Sequence, residues 1–171
     1  MAHTSNRIVV GVDGSPGSRQ ALRWALREAE ATGSTVEAVL VWWDGWALSG
    51  PPSLIGAGKE GLAMLKAELH KTVHDVLVED GRSGKVAVTE RVIPGHPAEA
   101  LVRESESARL LVVGSQGLSG LMRSIIGSVS RRCAQTATVP VVIVPPAVSS
   151  EAIQQSQAPP APFPSSPARQ S

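Results

Sequence analysis

Cysteine, aromatic residues and net charge are all scarce in this chain of 171 residues. The one cysteine, Cys133, has no partner, which excludes an internal disulfide and a zinc site built from cysteines. The formal net charge is only +1, and no basic run or basic-aromatic pattern indicates nucleic-acid binding. The first apolar run is too short, and too soon interrupted by Asp13, for a signal or membrane segment, so we expect a cytoplasmic protein.

Hydrophobic residues make up 42% of the chain although aromatic ones make up only 3%, and this composition suits a single compact domain with a good core. We assign the domain to residues 7–146, after a flexible N-terminus at residues 1–6. Beyond it, residues 147–171 are dominated by Pro, Ser, Ala and Gln, which cannot bury enough apolar surface to offset the entropy of ordering. We therefore expect a disordered tail there.

Strand-like and helix-like patterns alternate along the domain. Ser15 followed by Pro16 predicts the start of the first helix, and Gly33 predicts its end. The β-α order predicts one α/β domain with a parallel sheet and helices on both faces, because parallel neighbours need right-handed crossovers. The predicted strands are residues 7–12, 35–42, 85–93, 110–113 and 139–144, and the predicted helices are residues 17–32, 59–80, a stretch containing 98–105, and 129–137.

Glycines recur at a fixed spacing after the fourth strand. Gly114 and Gly117 are followed, after nine intervening residues, by Gly127 and Ser128, which gives the pattern G-x-x-G-x9-G-S. Glycine permits a positive φ and lets a ligand approach the backbone without meeting a Cβ. We interpret the pattern as a backbone site for a ligand.

The second half of this pattern predicts a helix start. Ser128 is the predicted N-cap, and the inward side of the helix would carry Val129, Cys133 and Thr136 or Ala137. A helix start offers free N–H donors and a positive dipole end to an anion. Two donor clusters, at residues 114–120 and 127–130, could therefore bind a polyphosphate and its ribose.

These residues resemble the ATP-binding branch of the universal stress protein family. The likeness covers roughly residues 7–145 and includes the opening RIVVGVDGSPGSRQALRWA and the closing VPVVIVPP. It implies a single open parallel sheet of five strands in the order 3-2-1-4-5, which is an adenine nucleotide alpha hydrolase-like (Rossmann-like) fold. Such sheets bind ligands outside the carboxyl ends of the strands where the order reverses, here between strands one and four.

The resemblance also implies ATP as the ligand, with Mg²⁺ bound through its phosphates, and a homodimer formed through strand 139–144. Phosphate and ribose contacts are implied at the glycine motif, and adenine contacts at the ends of strands one and two. The candidate nucleotide-binding residues are Gly11, Val12, Asp13, Val41, Gly114, Ser115, Gln116, Gly117, Gly120, Gly127, Ser128, Val129 and Ser130.

Several of these candidates have a structural alternative. Asp13 supplies an acceptor suited to the exocyclic amine of adenine, or it caps its own turn. Val41 contacts adenine through its main chain, packs in the core, or does both. The three tryptophans Trp42, Trp43 and Trp46 serve burial, or they form a wall beside the nucleotide or a partner surface.

Rival sites fail on spacing or composition. No lysine occurs from Gly114 to Ser130, so the chain has no Walker A loop. The first turn lacks the second glycine of a dinucleotide fingerprint, and Ser115 is not in a hydrolase elbow. The pair His70 and His74 could share a metal, but a solvated helix face is the simpler interpretation.

Two side chains bear on the strength of phosphate binding. Arg123, between the glycine clusters, either leans over the polyphosphate or faces water. Gln116 stands where many relatives have a cationic or imidazole side chain, and a neutral donor makes weaker hydrogen bonds to phosphate. The sequence therefore favours a nucleotide-responsive regulator in stress adaptation, and the alternatives are a slow ATPase or nucleotidyl-transfer enzyme and an interaction protein that needs no nucleotide.

Overall fold

The computed structural model describes residues 5–42, 59–117 and 126–146. Within these ranges, strands and helices alternate as the sequence predicts. The strands are β1 (Arg7–Gly11), β2 (Thr35–Trp42), β3 (Val88–Pro94), β4 (Leu110–Gly114) and β5 (Val141–Val144), and the helices are α1 (Pro16–Thr32), α2 (Lys59–Glu79), α3 (Pro97–Ser105) and α4 (Ser128–Thr136).

The five strands form one parallel sheet in the order β3-β2-β1-β4-β5, which confirms the predicted fold class. The central strand β1 is buried on both faces, as expected for a parallel sheet covered by helices. Ile8 and Val10 face the core beneath α1 and α2, whereas Val9 faces the core beneath α3 and α4. The order reverses at β1, so β2 and β4 flank it on opposite sides.

Helix α1 has the ends that the sequence predicts. The hydroxyl of Ser15 accepts a hydrogen bond from the Ser18 amide at 3.1 Å, Pro16 occupies the first helical position, and Gly33 ends the helix with φ 64°. Glycine suits this last position because it takes a left-handed conformation without steric cost. The buried face is the predicted one and consists of Ala21, Leu22, Ala25, Leu26 and Ala29.

Other boundaries differ from the predictions by one to three residues. β3 begins at Val88 rather than at residue 85, because Lys85 still belongs to a turn in which its amide donates to the Arg82 carbonyl. β5 begins at Val141 because the preceding Pro140 has no N–H to donate to a ladder. Both differences shorten the edge strands of the sheet.

The prediction that Ser128 is the N-cap of α4 is wrong. Ser128 is the first helical residue, and Gly127 is the cap, with an extended backbone (ψ 159°) and a carbonyl that accepts the first helical bond from Arg131. Cys133 is buried and Val129 packs against the same core, as expected, while Ala137 is half-buried and Thr136 is exposed. Ser130 is also buried, which was not expected.

A cluster of charged side chains links strands β1, β2 and β3 to each other and to α3. The carboxylate of Glu37, in the middle of β2, is almost fully buried and pairs with Arg7 of β1 and, at 3.1 Å, with Arg91 of β3. Arg91 also pairs with Glu104 of α3. Because Glu37 has two arginine partners, only the loss of both would leave its buried charge unpaired, which typically costs about 3–5 kcal/mol.

Among residues 5–42, 59–117 and 126–146, no helix is long and apolar enough to cross a membrane. Several predicted features lie outside the described residues. They are Gly120, Arg123, Trp43, Trp46, residues 1–4 and the tail at 147–171.

Candidate functional site

The loops that follow β1 and β4 lie side by side at the carboxyl edge of the sheet. β1 and β4 are paired from Ile8 with Leu110 to Val10 with Val112, and both strands end within two residues of this ladder. We call residues 11–15 the first loop and residues 114–117 the second loop. We call the space between them the crevice, and the start of α4 adjoins it where the Gly127 amide donates to the Ser115 carbonyl. Open parallel sheets bind ligands at such an edge.

Three backbone amides of the first loop donate hydrogen bonds to other groups of the protein. The Val12 amide donates to the Val39 carbonyl at 2.9 Å, and the Asp13 amide donates to the Ser18 hydroxyl at 3.3 Å. The Ser15 amide donates to Oδ1 of Asp13 at 3.0 Å. Because the Ser15 hydroxyl also caps α1, these groups have protein partners and do not offer an anion site.

Asp13 caps its own turn with one carboxylate oxygen and directs the other to the second loop. Its Oδ1 caps the turn, which is the structural alternative that the sequence left open. Its Oδ2 reaches across to the second loop, where a Cβ built on Gly117 would lie only 2.8 Å from it. A half-buried carboxylate oxygen therefore lies in the crevice, at the glycine motif itself.

The motif glycines are needed for close packing rather than for positive φ. Gly114, Gly117 and Gly127 are absent from the glycines with positive φ among the described residues, so this part of the expectation is wrong. A Cβ on Gly114 would lie 2.7 Å from the carbonyl carbon of Gly17, and one on Gly127 would lie 3.3 Å from the Ser115 carbonyl oxygen. The backbone is approached closely, as predicted, but by the protein itself.

Two motif amides are already used inside the protein. The Ser115 amide donates to the Val144 carbonyl at 2.7 Å, which extends the β4–β5 ladder, and the Gly127 amide donates to the Ser115 carbonyl at 2.7 Å. The Ser130 hydroxyl donates to the Gly114 carbonyl at 2.5 Å. The prediction that the whole motif presents free donors is therefore too broad.

The start of α4 keeps its donors. The first intrahelical bond runs from the Arg131 amide to the Gly127 carbonyl at 3.0 Å, so the amides of Ser128, Val129 and Ser130 precede it and have no intrahelical acceptor. Gly127 has no side chain with which to cap them. These N–H groups and the positive end of the helix dipole make the best anion site at the crevice.

Val41 directs its main chain toward the same crevice. Successive residues of a parallel strand point their N–H and C=O groups to alternate sides. The Val39 carbonyl bonds Val12 on the β1 side, and the Trp42 carbonyl bonds the Gly95 amide on the β3 side. The main-chain N–H and C=O groups of Val41 therefore point to the β1 side, two residues beyond Val39, where the ladder with β1 ends. The Val41 side chain packs against the core beneath α3 and α4.

Trp42 and Gly11 have structural roles in the described residues. Trp42 is half-buried against the core beneath α1 and α2, which is the burial alternative. A Cβ on Gly11 would lie 2.9 Å from Cδ1 of Leu101, so glycine lets α3 pack onto the end of β1. Gly11 is also the last residue of β1 and the first of the first loop.

The sequence interpretation missed Gly17. A Cβ at this position would lie 2.2 Å from the Gln116 carbonyl oxygen, closer than any neighbour could tolerate without moving. The signal was present in the sequence, because glycine in the first turn of a helix lowers helix propensity without an evident turn to explain it.

Neither the histidine pair nor the cysteine forms a second reactive site in the described residues. His70 lies 3.2 Å from the Glu90 carboxylate, and its ring centroid is 6.4 Å from that of His74. In the part of the chain that the structure describes, no group of three or more His, Cys, Asp or Glu residues is placed to hold a metal ion. Burial raises the pKa of the Cys133 thiol from its ordinary 9.0 to about 11, which makes it an unreactive core residue.

The reversed parallel sheet, the two strand-end loops and the open helix start define an α/β protein of the type that binds ligands at a switch point. The model of the universal stress protein family matches residues 4–145, and the chain belongs to this family. A universal stress protein of Mycolicibacterium smegmatis is 38% identical over 151 residues, which cover 85% of this chain and 48% of the relative. The chain spans about half the length of the curated relatives it matches.

Solved structures share this fold. One is a universal stress protein in complex with cAMP, which is 25% identical, has a TM-score of 0.58 and is matched over 84% of this chain and 99% of the other. Another is the universal stress protein from Archaeoglobus fulgidus in complex with dAMP, with 23% identity, a TM-score of 0.58 and the same coverage of 84% and 99%. Both of these proteins thus hold an adenine nucleotide.

Proposed function

We propose that this chain binds ATP in the crevice between the first and second loops and acts as a nucleotide-responsive regulator in stress adaptation. The observation that carries the proposal is the uncapped start of α4 beside the reversal of strand order. An anion is stabilised there by free amides and by the helix dipole. The complex of a family member with cAMP supports an adenine nucleotide as the ligand class.

Charge sets the direction in which the nucleotide would lie. The Asp13 carboxylate at Gly117 repels phosphate, so the phosphates belong at the other end of the crevice, on the amides of Ser128–Ser130. Asp13 then accepts from the exocyclic amine of adenine, and the Val41 main chain supplies a second contact. Gly114–Gly117 lies between them and borders the ribose.

Mg²⁺ fits this arrangement as a companion of the phosphates. The site offers amide and hydroxyl donors, which suit phosphate oxygens, and the motif contains no lysine to neutralise their charge. The ion would be held chiefly by the phosphates, where it neutralises negative charge. Amides at the start of α4 then orient the remaining phosphate oxygens.

We also propose that two copies of the chain pair in the cytoplasm through residues 139–144. β5 is an edge strand of the sheet, and Val141, Val142 and Ile143 are only half-buried. An apolar edge strand tends to pair with another chain unless it is covered. Light scattering after size exclusion should give twice the monomer mass, and Ile143→Lys should give the monomer mass.

Denaturation of freshly purified protein gives the first test of the ligand, because a bound adenine nucleotide would be released in near-stoichiometric amount. Dialysed protein should then gain thermal stability with Mg²⁺ and ATP, since a ligand selective for the folded state must raise it. Unchanged stability at millimolar ATP would contradict the proposal and favour an interaction protein that needs no nucleotide. Phosphate release at a steady rate would instead favour the ATPase.

Asp13→Asn tests the adenine contact. Asparagine keeps an oxygen that can accept from the Ser15 amide, but it places an NH₂ donor where Oδ2 now faces the crevice. We expect ATP binding to weaken about tenfold, or about 1.4 kcal/mol, by calorimetry. Tighter binding of ATP by the variant would show that Asp13 faces phosphate rather than adenine.

A further inference from the structure

Two glycines face each other where α1 meets the second loop. Gly17 is buried at the second position of α1, and a Cβ there would lie 2.2 Å from the Gln116 carbonyl oxygen. On the opposite side, a Cβ on Gly114 would lie 2.7 Å from the carbonyl carbon of Gly17 and 2.8 Å from its oxygen. Each backbone therefore occupies the space that a side chain on the other would need.

The contact involves the part of the second loop that forms the crevice wall. Gln116 lies between Ser115, whose amide is fixed to Val144 of β5, and Gly117, which faces Oδ2 of Asp13. With Ser115 fixed in this way, movement of the Gln116 carbonyl away from α1 must be taken up toward Gly117. The carbonyl also lies at the positive end of the α1 dipole, which favours its present position.

We propose that Gly17 is a positioning residue for the nucleotide: it lets the Gln116 carbonyl rest against α1 and so fixes the place of Gly117 relative to Asp13. Gly17 itself does not contact the nucleotide. Alanine at this position pushes the Gln116 carbonyl away from α1 and changes the distance between Gly117 and Asp13. This inference rests on the proposed function only for its effect on affinity, since the position of the loop can be measured without a ligand.

Gly17→Ala is the test, and Gly33→Ala is the matched control at the other end of the same helix. Gly33 has φ 64° with nothing within 4 Å of a Cβ, so alanine there strains the backbone without displacing a neighbour. In nucleotide-free protein, we expect Gly17→Ala to shift the amide resonances of residues 115–117, and Gly33→Ala to leave them in place. With both variants folded, we expect ATP affinity to fall about tenfold for Gly17→Ala and less than twofold for Gly33→Ala.

Unshifted resonances at residues 115–117 in Gly17→Ala would overturn the proposal, and so would shifted resonances with unchanged ATP affinity. If wild-type protein does not bind ATP at all, the proposed function fails, and the nucleotide-free resonances still decide whether Gly17 places the loop.

If Gly17→Ala does not fold, Mg²⁺ and ATP are titrated into wild-type protein. The amide resonance of Gly17 should then shift together with that of Gly117, while the amide resonance of Gly33 stays unchanged. An unchanged Gly17 resonance would overturn the proposal.

Discussion

Helices α1 and α4 both begin at the carboxyl edge of the sheet, yet one start is closed and the other is open. α1 has the Ser15 hydroxyl as its cap, Pro16 at its first position and the Gln116 carbonyl against Gly17. α4 has Gly127, which cannot cap, and a first turn whose amides keep no intrahelical acceptor. A few residues therefore decide whether the first amides of a helix are capped by the protein or left without an intrahelical acceptor.

Gly114→Ala would disturb both helix starts and should have the largest effect. The new Cβ would lie 2.7 Å from the backbone of Gly17, where no flexible side chain can give way. Such overpacking typically costs about 1–3 kcal/mol, and we expect this loss in urea denaturation together with loss of measurable ATP binding. A variant as stable as wild type would show that the end of β4 and the start of α1 are not in firm contact.

Ser128→Pro would place proline at the first position of α4, where α1 has Pro16. Proline is well tolerated at the first helical position, and the extended backbone of Gly127 suits a residue before proline. The substitution deletes one amide donor, so ATP binding should weaken about tenfold, because a hydrogen bond to a charged group contributes about 1.5–3 kcal/mol. Ser128→Ala, which keeps the amide, is the control in calorimetry, and equal affinities for the two variants would contradict the role of that donor.

Ser15→Ala would open the closed start without touching the ligand. The Ser15 hydroxyl is buried and accepts from the Ser18 amide at 3.1 Å. Loss of an N-cap costs about 1 kcal/mol, so the free energy of unfolding should fall by that amount while ATP affinity changes less than twofold. A large loss of affinity in the folded variant would mean that the first loop contributes more to binding than its hydrogen bonds suggest.

The alkylation rate of Cys133 indicates whether α4 stays packed on the sheet in these variants. The pH dependence of the Cys133 thiol has the smallest expected effect on stability. Since burial raises the pKa of the Cys133 thiol to about 11, native protein near pH 8 should react with iodoacetamide about 100-fold more slowly than unfolded protein on ionisation alone. The thiol contributes stability fully below pH 9, and this contribution is lost as the pH rises toward 11. Faster alkylation of Ser128→Pro than of Ser128→Ala would indicate a frayed helix rather than a lost donor.

Local patterns predicted most of the fold. The caps of α1 and the bounds of β2 follow from residues that are neighbours in the chain, and the family resemblance implied the strand order that the structure confirms. The close contacts between Gly17 and Gln116 and between Asp13 and Gly117 were not predicted, because they join segments that are distant in the chain. The glycine motif was recognised, but the positive φ expected of it was not found, since its glycines serve packing between distant segments.

The central place of β1 has a consequence for the order of folding. β1 meets β2 after a single helical crossover, as in the pairing of Arg7 with Thr35, whereas its ladder with β4 joins Ile8 to the distant Leu110. Because pairing between remote segments requires closure of a long loop, we expect β1, α1 and β2 to assemble first and β4 to join late. The crevice between the first and second loops would then form only in the last stage of folding.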